Sequence, residues 1–234
     1  MLARRVLWLG VVSLVVLCWN PVPAGAAMYG FTPVSFNSGA AVYAVVPQLS
    51  LDVTQSGSQV LFTFANDGPV ASTIAATYFD DGAGVLDSLL TPINGPGVSF
   101  GSGGNPANLP APMVPYHFGA NFWATANAPK GLGGKGVDNT GEFVTIPFTL
   151  ADAKSLADLV AALDAGLANP TSTIGALRVG IDVHSIDMAG LSDAFILAPG
   201  RATVPGAVHT PLPGAVILAM LGLSAAGIRL RRFA

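Results

Sequence analysis

Apolar and polar residues alternate in several short segments of the chain, and turn-forming residues separate these segments. In one segment Val60, Phe62 and Phe64 occupy every second position, and the turn sequence Asn-Asp-Gly follows directly. A period of two places alternate side chains on one face of an extended strand. The segment is therefore predicted to form a β-strand with one buried face.

Three further segments show the same period of two. Their predicted inward-facing residues are Ile74, Ala76 and Tyr78 in the first, Val144, Ile146, Phe148 and Leu150 in the second, and Leu177, Val179, Ile181 and Val183 in the third. Pro147 lacks a backbone donor, which indicates that the second segment is an edge strand. Arg178, Asp182 and His184 alternate with the apolar residues of the third segment, so they are predicted to face solvent.

One segment has the period of a helix instead. Its apolar residues fall on one helical face and are Leu156, Leu159, Val160, Leu163 and Leu167. Thr149 and Asp152 resemble a capping pair at its start, and Asn169-Pro170 ends it. Five apolar residues on one face favour packing across an end of the domain. A helix that binds a partner is the alternative.

Between residues 95 and 139 the chain is rich in Gly, Pro, Asn and Ala, and no period is evident. Five aromatic residues are interspersed: Phe100, Tyr116, Phe118, Phe122 and Trp123. On exposed loops, Phe122 and Trp123 are candidates for glycan contact, because their rings can stack on sugar rings. The favoured interpretation is that such rings cover the ends of the core.

Together these patterns predict an all-β fold: an antiparallel β-sandwich of the jelly-roll or immunoglobulin-like type, with one amphipathic helix. At 234 residues the chain has room for one such domain and for short processing segments at its ends. We expect the sandwich to form an ectodomain over residues 27–204.

Residues 1–26 have the organisation of an export signal peptide. Arg4 and Arg5 precede a long apolar run, and the small residues Ala24 and Ala26 follow it. Cleavage is predicted after Ala26. The alternative is an uncleaved anchor, which two prolines just before the site disfavour because they interrupt a helix.

At the C-terminal end the order is reversed, and an apolar run precedes the basic residues. Residues 205–213 form a proline-containing linker, and residues 214–234 are predicted to form a transmembrane helix with a basic tail. The uncharged run in this helix is shorter than the roughly 20 residues of a full bilayer crossing, although arginines at its end can reach the interface. Because basic clusters remain cytoplasmic, the ectodomain is expected outside the cell.

Charge is distributed unevenly along the chain. All thirteen acidic residues lie between the two end segments with only five of the ten basic ones, so the predicted ectodomain has a net charge of −8. Such a surface opposes binding to phosphate backbones, and nucleic acid is not an expected partner. The single cysteine, Cys18, lies in the apolar run of the signal peptide, so no disulfide is expected in the mature protein.

The C-terminal elements resemble the PEP-CTERM sorting signal that exosortases process, in its PLP variant. The resemblance depends on the motif Pro211-Leu212-Pro213, the apolar helix behind it and the final arginines Arg229, Arg231 and Arg232. A plain membrane anchor would have the same orientation without the motif. Segments 60–82 and 177–197 also resemble ectodomains of this family.

The resemblance implies a surface or matrix protein without established enzymatic activity. Its expected partners are an exosortase-type sorting enzyme, the membrane before processing, and extracellular polysaccharide. A carbohydrate-binding module that uses loop aromatics is the alternative.

Candidate catalytic and metal-binding patterns are weak. Asp80, Asp81 and Asp87 offer the oxygen ligands that calcium prefers, but an Asp-Asp-Gly sequence is also typical of a hairpin turn, which is the favoured interpretation. Gly133–Asp138 matches the start of one calcium-binding nonapeptide repeat, in a single copy. No metal site or cofactor is predicted. A glycan hydrolase would need two carboxylates brought together in space.

Overall fold

The computed structural model describes residues 27–110, 115–188 and 190–198. The predicted signal peptide, the linker and the sorting helix lie outside these residues. The described residues contain two helices, α1 (Ala41–Val45) and α2 (Leu156–Ala168), and eleven strands. The strands are β1 (Ala27–Pro33), β2 (Leu49–Ser56), β3 (Gln59–Asn66), β4 (Thr73–Asp81), β5 (Leu86–Leu89), β6 (Ile93–Asn94), β7 (Phe100–Ser102), β8 (Phe122–Ala126), β9 (Phe143–Leu150), β10 (Leu177–His184) and β11 (Ser192–Ala198).

The strands form one antiparallel sheet, which confirms the prediction of a mostly β, antiparallel fold. Their order is β5-β9-β3-β2-β1-β11-β10-β4-β8-β7, and β6 also pairs with β9. β1 joins the two halves of this sheet, because its start pairs with β2 and its end pairs with β11. The outer edges approach each other where the Phe100 amide in β7 donates to Asn94 Oδ1 in β6 at 2.7 Å. The sheet therefore nearly closes on itself.

The core lies between the two halves of the sheet. Val60, Phe62 and Phe64 of β3 are fully buried, as their alternation predicts. The ring of Phe62 meets Phe79 of β4 edge to face, with 5.0 Å between the ring centres. Burying one such side chain contributes about 1.5–3 kcal/mol to folding, so these aromatic contacts hold the halves together.

β4 departs from the simple alternation that its sequence indicates. Its pairing with β10 shifts by one residue at Ala75, which forms a β-bulge. A one-residue shift moves side chains to the other face. Ile74 accordingly lies in the main core with Phe79, whereas Ala76 and Tyr78 belong to a second apolar cluster on the outer face. The prediction that Ile74 shares a face with Ala76 and Tyr78 is wrong.

β9 is not the edge strand that Pro147 indicates. It pairs with β3 on one side and with β5 and β6 on the other. The Pro147 carbonyl accepts from the Leu90 amide at 2.9 Å. Because the backbone N and C=O of one residue point to the same side of an antiparallel strand, the Pro147 nitrogen points to the break between β5 and β6. An interior proline is tolerated because no complete strand lies opposite it.

The predicted helix is present as α2, but its cap lies further along the chain than predicted. β9 continues to Leu150, which leaves Thr149 in a strand. Ser155 is the N-cap: its Oγ accepts from the Asp158 amide at 3.3 Å, and Asp158 Oδ2 accepts from the Ser155 amide at 2.8 Å. Leu159 and Leu163 are fully buried. The apolar face of α2 is thus occupied by core packing.

Candidate functional site

A loop covers the outer face of β10 and β4, which the sequence pattern predicts to be exposed to solvent. This outer loop, residues 103–110 and 115–121 among those described, belongs to the Gly- and Pro-rich segment without periodicity. Arg178 and Asp182 in β10 are only 4% and 3% exposed. The prediction that these two side chains face solvent is therefore wrong, because a segment distant in the sequence covers them.

A second apolar cluster fills the space beneath the outer loop. Tyr78 and Ile196 of the sheet pack there with Leu109 and Phe118 of the loop. The Tyr78 hydroxyl donates to the Pro106 carbonyl at 3.3 Å. Burial, and secondarily the negative charge of Asp182, raises the pKa of Tyr78 well above its usual value. The hydroxyl therefore stays protonated and serves as a donor to the loop.

A buried ion pair between Arg178 and Asp80 ties the outer loop to the sheet. The guanidinium group also donates to the His117 carbonyl, and its carbon lies 5.2 Å from the centre of the Phe118 ring. Asp80 Oδ2 accepts from the Gly119 amide at 2.9 Å. Each charged group therefore contacts both the sheet and the loop, which offsets part of the cost of burying it.

An imidazole and a carboxylate meet at the rim of this covered face. His184 Nε2 lies 2.8 Å from Asp182 Oδ2, and the histidine side chain is partly exposed. Asp182 Oδ1 is buried, and no hydrogen-bond partner for it is found among the described residues. Within the described residues, no hydroxyl is hydrogen-bonded to this histidine.

The two aromatic residues proposed for glycan contact lie side by side on β8 but face different clusters. Phe122 packs against the main core, 5.3 Å from Phe148 between ring centres. Trp123 packs against the second cluster, and its indole nitrogen donates to the Gly104 carbonyl at 3.0 Å. Because neighbouring residues of a strand point to opposite faces, the two rings do not form one common platform.

The aspartates considered as calcium ligands each have another partner. Asp80 pairs with Arg178. Asp81 accepts from the amides of Val85 at 3.1 Å and Leu86 at 2.8 Å, which closes the turn before β5. Asp87 accepts from Ser88 and Thr149 hydroxyls. In the part of the chain that the structure describes, no three His, Cys, Asp or Glu residues are grouped as metal ligands.

The carboxylates of the turn before β9 are likewise used within the turn. Asp138 accepts from the Gly133 amide, and Glu142 accepts from the Asp138 amide at 2.9 Å and the Asn139 amide at 3.1 Å. Burial raises the pKa of Asp138, and the neighbouring Glu142 adds to this rise. Burial would also raise the pKa of Glu142. The hydrogen bonds that the Glu142 carboxylate accepts outweigh burial and hold this pKa below the usual value.

Sequence reasoning missed the role of Asp193, which is buried at the start of β11. Its carboxylate accepts from the Ser35 hydroxyl at 2.9 Å and from the amides of Asn37 at 2.6 Å and Ser38 at 2.9 Å. The Ser-Asp-x-Phe sequence around it was the available signal. Asp193 thereby fixes the backbone between β1 and α1.

The segment that follows β1, together with α1, carries two exposed aromatic rings that the sequence pattern does not predict. Phe36 is 42% exposed and Tyr43, on α1, is 59% exposed. Their ring centres are 5.8 Å apart, with an angle of 37° between the ring planes. Neither residue lies in a segment with a clear period, so alternation gave no indication of which side they face.

The predicted processing residues lie outside the described residues. They are Ala24, Ala26, Pro211, Leu212, Pro213, Arg229, Arg231 and Arg232. Among the described residues, no helix is both long enough and apolar enough to span a membrane.

Comparison with known proteins gives no match: no family model, no curated protein and no solved structure is significantly similar to this chain. A functional proposal must therefore start from the residues of the chain itself.

Proposed function

We propose that this chain is an exported, exosortase-sorted protein of structural or interaction type, displayed at a bacterial surface or in the extracellular matrix. One observation carries the proposal: the sequence has an export-type segment with Ala24 and Ala26 at its N-terminal end, and Pro211-Leu212-Pro213, an apolar run and final arginines at its C-terminal end. Cleavage after Ala26 would keep every residue of β1 that the structure describes, Ala27–Pro33.

β1 and β11, the first and last strands among the described residues, are neighbours in the sheet. Ala198, the last residue of β11, pairs with Gly30 near the start of β1. Both ends of the domain therefore lie at the same end of the sheet.

The finer description of the fold belongs to this proposal. The two facing halves of the sheet support a β-sandwich, of the jelly-roll or immunoglobulin-like type, as the ectodomain. Such a domain suits an extracellular protein that has no cysteine after Cys18, because its stability comes from the apolar core and buried polar contacts rather than from disulfides.

Extracellular polysaccharide is the proposed partner of the ectodomain, and a carbohydrate-binding module is the alternative function. The partly exposed ring of Trp123 favours the alternative. A glycan hydrolase has less support, because Glu142, the only glutamate, is engaged by its own turn.

The processing step can be tested in a host that carries an exosortase and in the same host without it. We expect the wild-type chain to lose its tail only when the enzyme is present, as measured by the mass of the protein in membrane and surface fractions. The double variant Pro211→Ala, Pro213→Ala should keep its tail and stay in the membrane fraction. Pro205→Ala, a linker proline outside the motif, serves as the matched control and should be processed normally.

Two results would contradict the proposal. One is equal processing of the wild type and the double variant, which would make the motif irrelevant. The other is recovery of intact tail peptides from wild-type protein in the presence of the enzyme, which is the behaviour of a plain membrane anchor.

A further inference from the structure

Two carboxylates meet in the turn before β9 without a basic partner. Burial is the largest cause of the raised pKa of Asp138, and the adjacent Glu142 carboxylate raises it further, so the two groups lie close together. A third carboxylate, Asp67, accepts from the Gly141 amide of the same turn at 3.0 Å. Among the described residues, no Lys or Arg forms an ion pair with any of these three. The turn therefore concentrates negative charge without a cation.

One oxygen of each carboxylate is directed at the same point. Asn139 Nδ2 donates to Asp138 Oδ1 at 2.6 Å and to Glu142 Oε1 at 3.0 Å. The second oxygens, Asp138 Oδ2 and Glu142 Oε2, accept from backbone amides, which hold both carboxylates in place. The point between Oδ1 and Oε1 is therefore a preformed position for a positively charged group, and the Asn139 side-chain amide occupies it.

A buried hydroxyl faces this turn from the sheet. Ile74 and Val137 exchange backbone hydrogen bonds of 3.0 and 3.1 Å, so the next pair, Thr73 and Asp138, stand opposite each other with their side chains on one face. The Thr73 hydroxyl is near enough to the Asp138 carboxylate to oppose the rise in its pKa. Thr73 is fully buried, yet among the described residues its hydroxyl makes no hydrogen bond of regular geometry. A buried hydroxyl without a partner costs free energy, which a ligand beside Asp138 would offset.

The donor atoms around this position are all oxygens. They come from the two carboxylates, from the Thr73 hydroxyl and, after a half-turn of its exposed side chain, from the Asn139 amide. His184 lies opposite Thr73 on β10, but its ring is directed at Asp182. Zinc prefers imidazole and thiolate ligands. Magnesium demands a nearly regular octahedron, whereas calcium accepts six to eight oxygens in irregular geometry. The donor set therefore favours calcium.

From these observations we infer that Asp138, Glu142, Asn139 and Thr73 form a calcium site, in which the ion takes the place of the Asn139 amide hydrogens between the two carboxylates. Water completes the coordination, because Asn139 and Gly141 are exposed. The ion would connect the turn before β9 to β4 through Thr73.

The affinity of the site follows from its charge. Only two of its ligands are carboxylates, and calcium affinity depends on the number of charged ligands. The dissociation constant should therefore be on the order of 10⁻⁴–10⁻³ M, the range of extracellular calcium-binding modules. Calcium would occupy such a weak site outside the cell, and this point alone rests on the proposed export. The site itself depends only on the residues of the turn and of β4.

Thermal unfolding of the full chain, purified in detergent and treated with EDTA, measures binding at constant ionic strength. About 10 mM CaCl₂ should raise the thermal midpoint of the wild type by about 3–10 °C, because calcium binds only the folded state. The same concentration of MgCl₂ should leave the midpoint nearly unchanged.

Three variants locate the site. Glu142→Gln keeps an oxygen for the backbone amides but loses the charge, so the calcium-induced shift should fall by about half or more. Thr73→Val removes only the hydroxyl: the midpoint without calcium should not fall, and the calcium-induced shift should decrease. Asp87→Asn is the matched control, because it removes an exposed carboxylate that accepts from the Ser88 and Thr149 hydroxyls. It should respond to calcium like the wild type.

Several outcomes would overturn the inference. These are the absence of a calcium-induced shift in the wild type, an equal shift with magnesium, an undiminished shift in Glu142→Gln, and a loss of the shift in Asp87→Asn. If Glu142→Gln does not fold, Thr73→Val decides, and an undiminished shift in that variant refutes the site. Processing is read separately from the mass of the protein: a sorted chain that does not respond to calcium refutes this inference alone, whereas an unsorted chain that responds refutes only the sorting proposal.

Discussion

Arg178 is a single charged residue that keeps the outer face of the sheet covered by the outer loop. Its guanidinium group is buried between the sheet and the outer loop, where Asp80 and the carbonyls of His117 and Pro170 receive its hydrogen bonds. An unpaired charge in such a place would be strongly destabilising. The residue therefore stabilises the covered state of the face rather than contributing a free surface charge.

Replacing Arg178 with methionine is expected to lower the free energy of unfolding by about 3–5 kcal/mol, because Asp80 would remain buried without its partner. Urea denaturation of the purified chain measures this. The double variant Arg178→Met, Asp80→Asn should recover much of the loss, since no lone charge is then buried. If the single variant is as stable as the wild type, the pair does not hold the loop in place.

At the scale of elements, α2 shows how a short polar sequence sets a helix boundary. Ser155 and Asp158 satisfy each other's backbone donors at the N-terminus. Near the C-terminal end of α2, two residues before Ala168, the available space is limiting instead: a Cβ on Gly166 would lie 2.6 Å from the Leu177 carbonyl oxygen of β10. Close packing of α2 on β10 thus requires glycine at this position.

Ser155→Ala should lower the thermal midpoint of the protein by about 2–4 °C at neutral pH, because the helix loses its cap. Ser155→Thr preserves the hydroxyl and is the matched control. A midpoint of Ser155→Ala equal to that of the wild type would show that the cap does not contribute to stability.

The same cap has a defined pH dependence. Hydrogen bonds from the Ser155 side chain and backbone hold the pKa of Asp158 below its usual value. Because the pKa of Asp158 is lower in the folded state, its carboxylate contributes fully to stability above the ordinary aspartate pKa of about 3.9. This contribution is lost as the pH falls through the pKa that Asp158 has in the folded protein. In Ser155→Ala the pKa of Asp158 should rise towards the ordinary value in an NMR titration. An unchanged pKa would contradict this assignment.

At the scale of the whole molecule, local periodicity predicted the elements but not what covers them. The buried faces of β3 and β10 and the presence of α2 follow from residues within each segment. The burial of Arg178 could not be predicted, because its partner Asp80 is 98 residues away and the covering loop has no period. The bulge at Ala75 likewise depends on pairing with β10, so the sequence of β4 alone did not reveal it.

The candidate glycan site was harder to predict than the fold. Phe122 and Trp123 lie in a Gly-rich segment and were therefore expected on loops, yet they form part of β8. Phe36 and Tyr43 are exposed because Asp193 and the buried valines of α1 fix the backbone between them. The hydrogen bonds of Asp193 join segments more than 150 positions apart, so no local sequence pattern indicates them.

The central claim is that the chain is exported and processed at both ends, and the intact mass of the protein recovered from the cell surface tests it most directly. The account predicts an N-terminus at Ala27 and no residue beyond Pro213. A surface protein that retains residues 1–26, or one that retains the apolar helix and Arg229, Arg231 and Arg232, would contradict it.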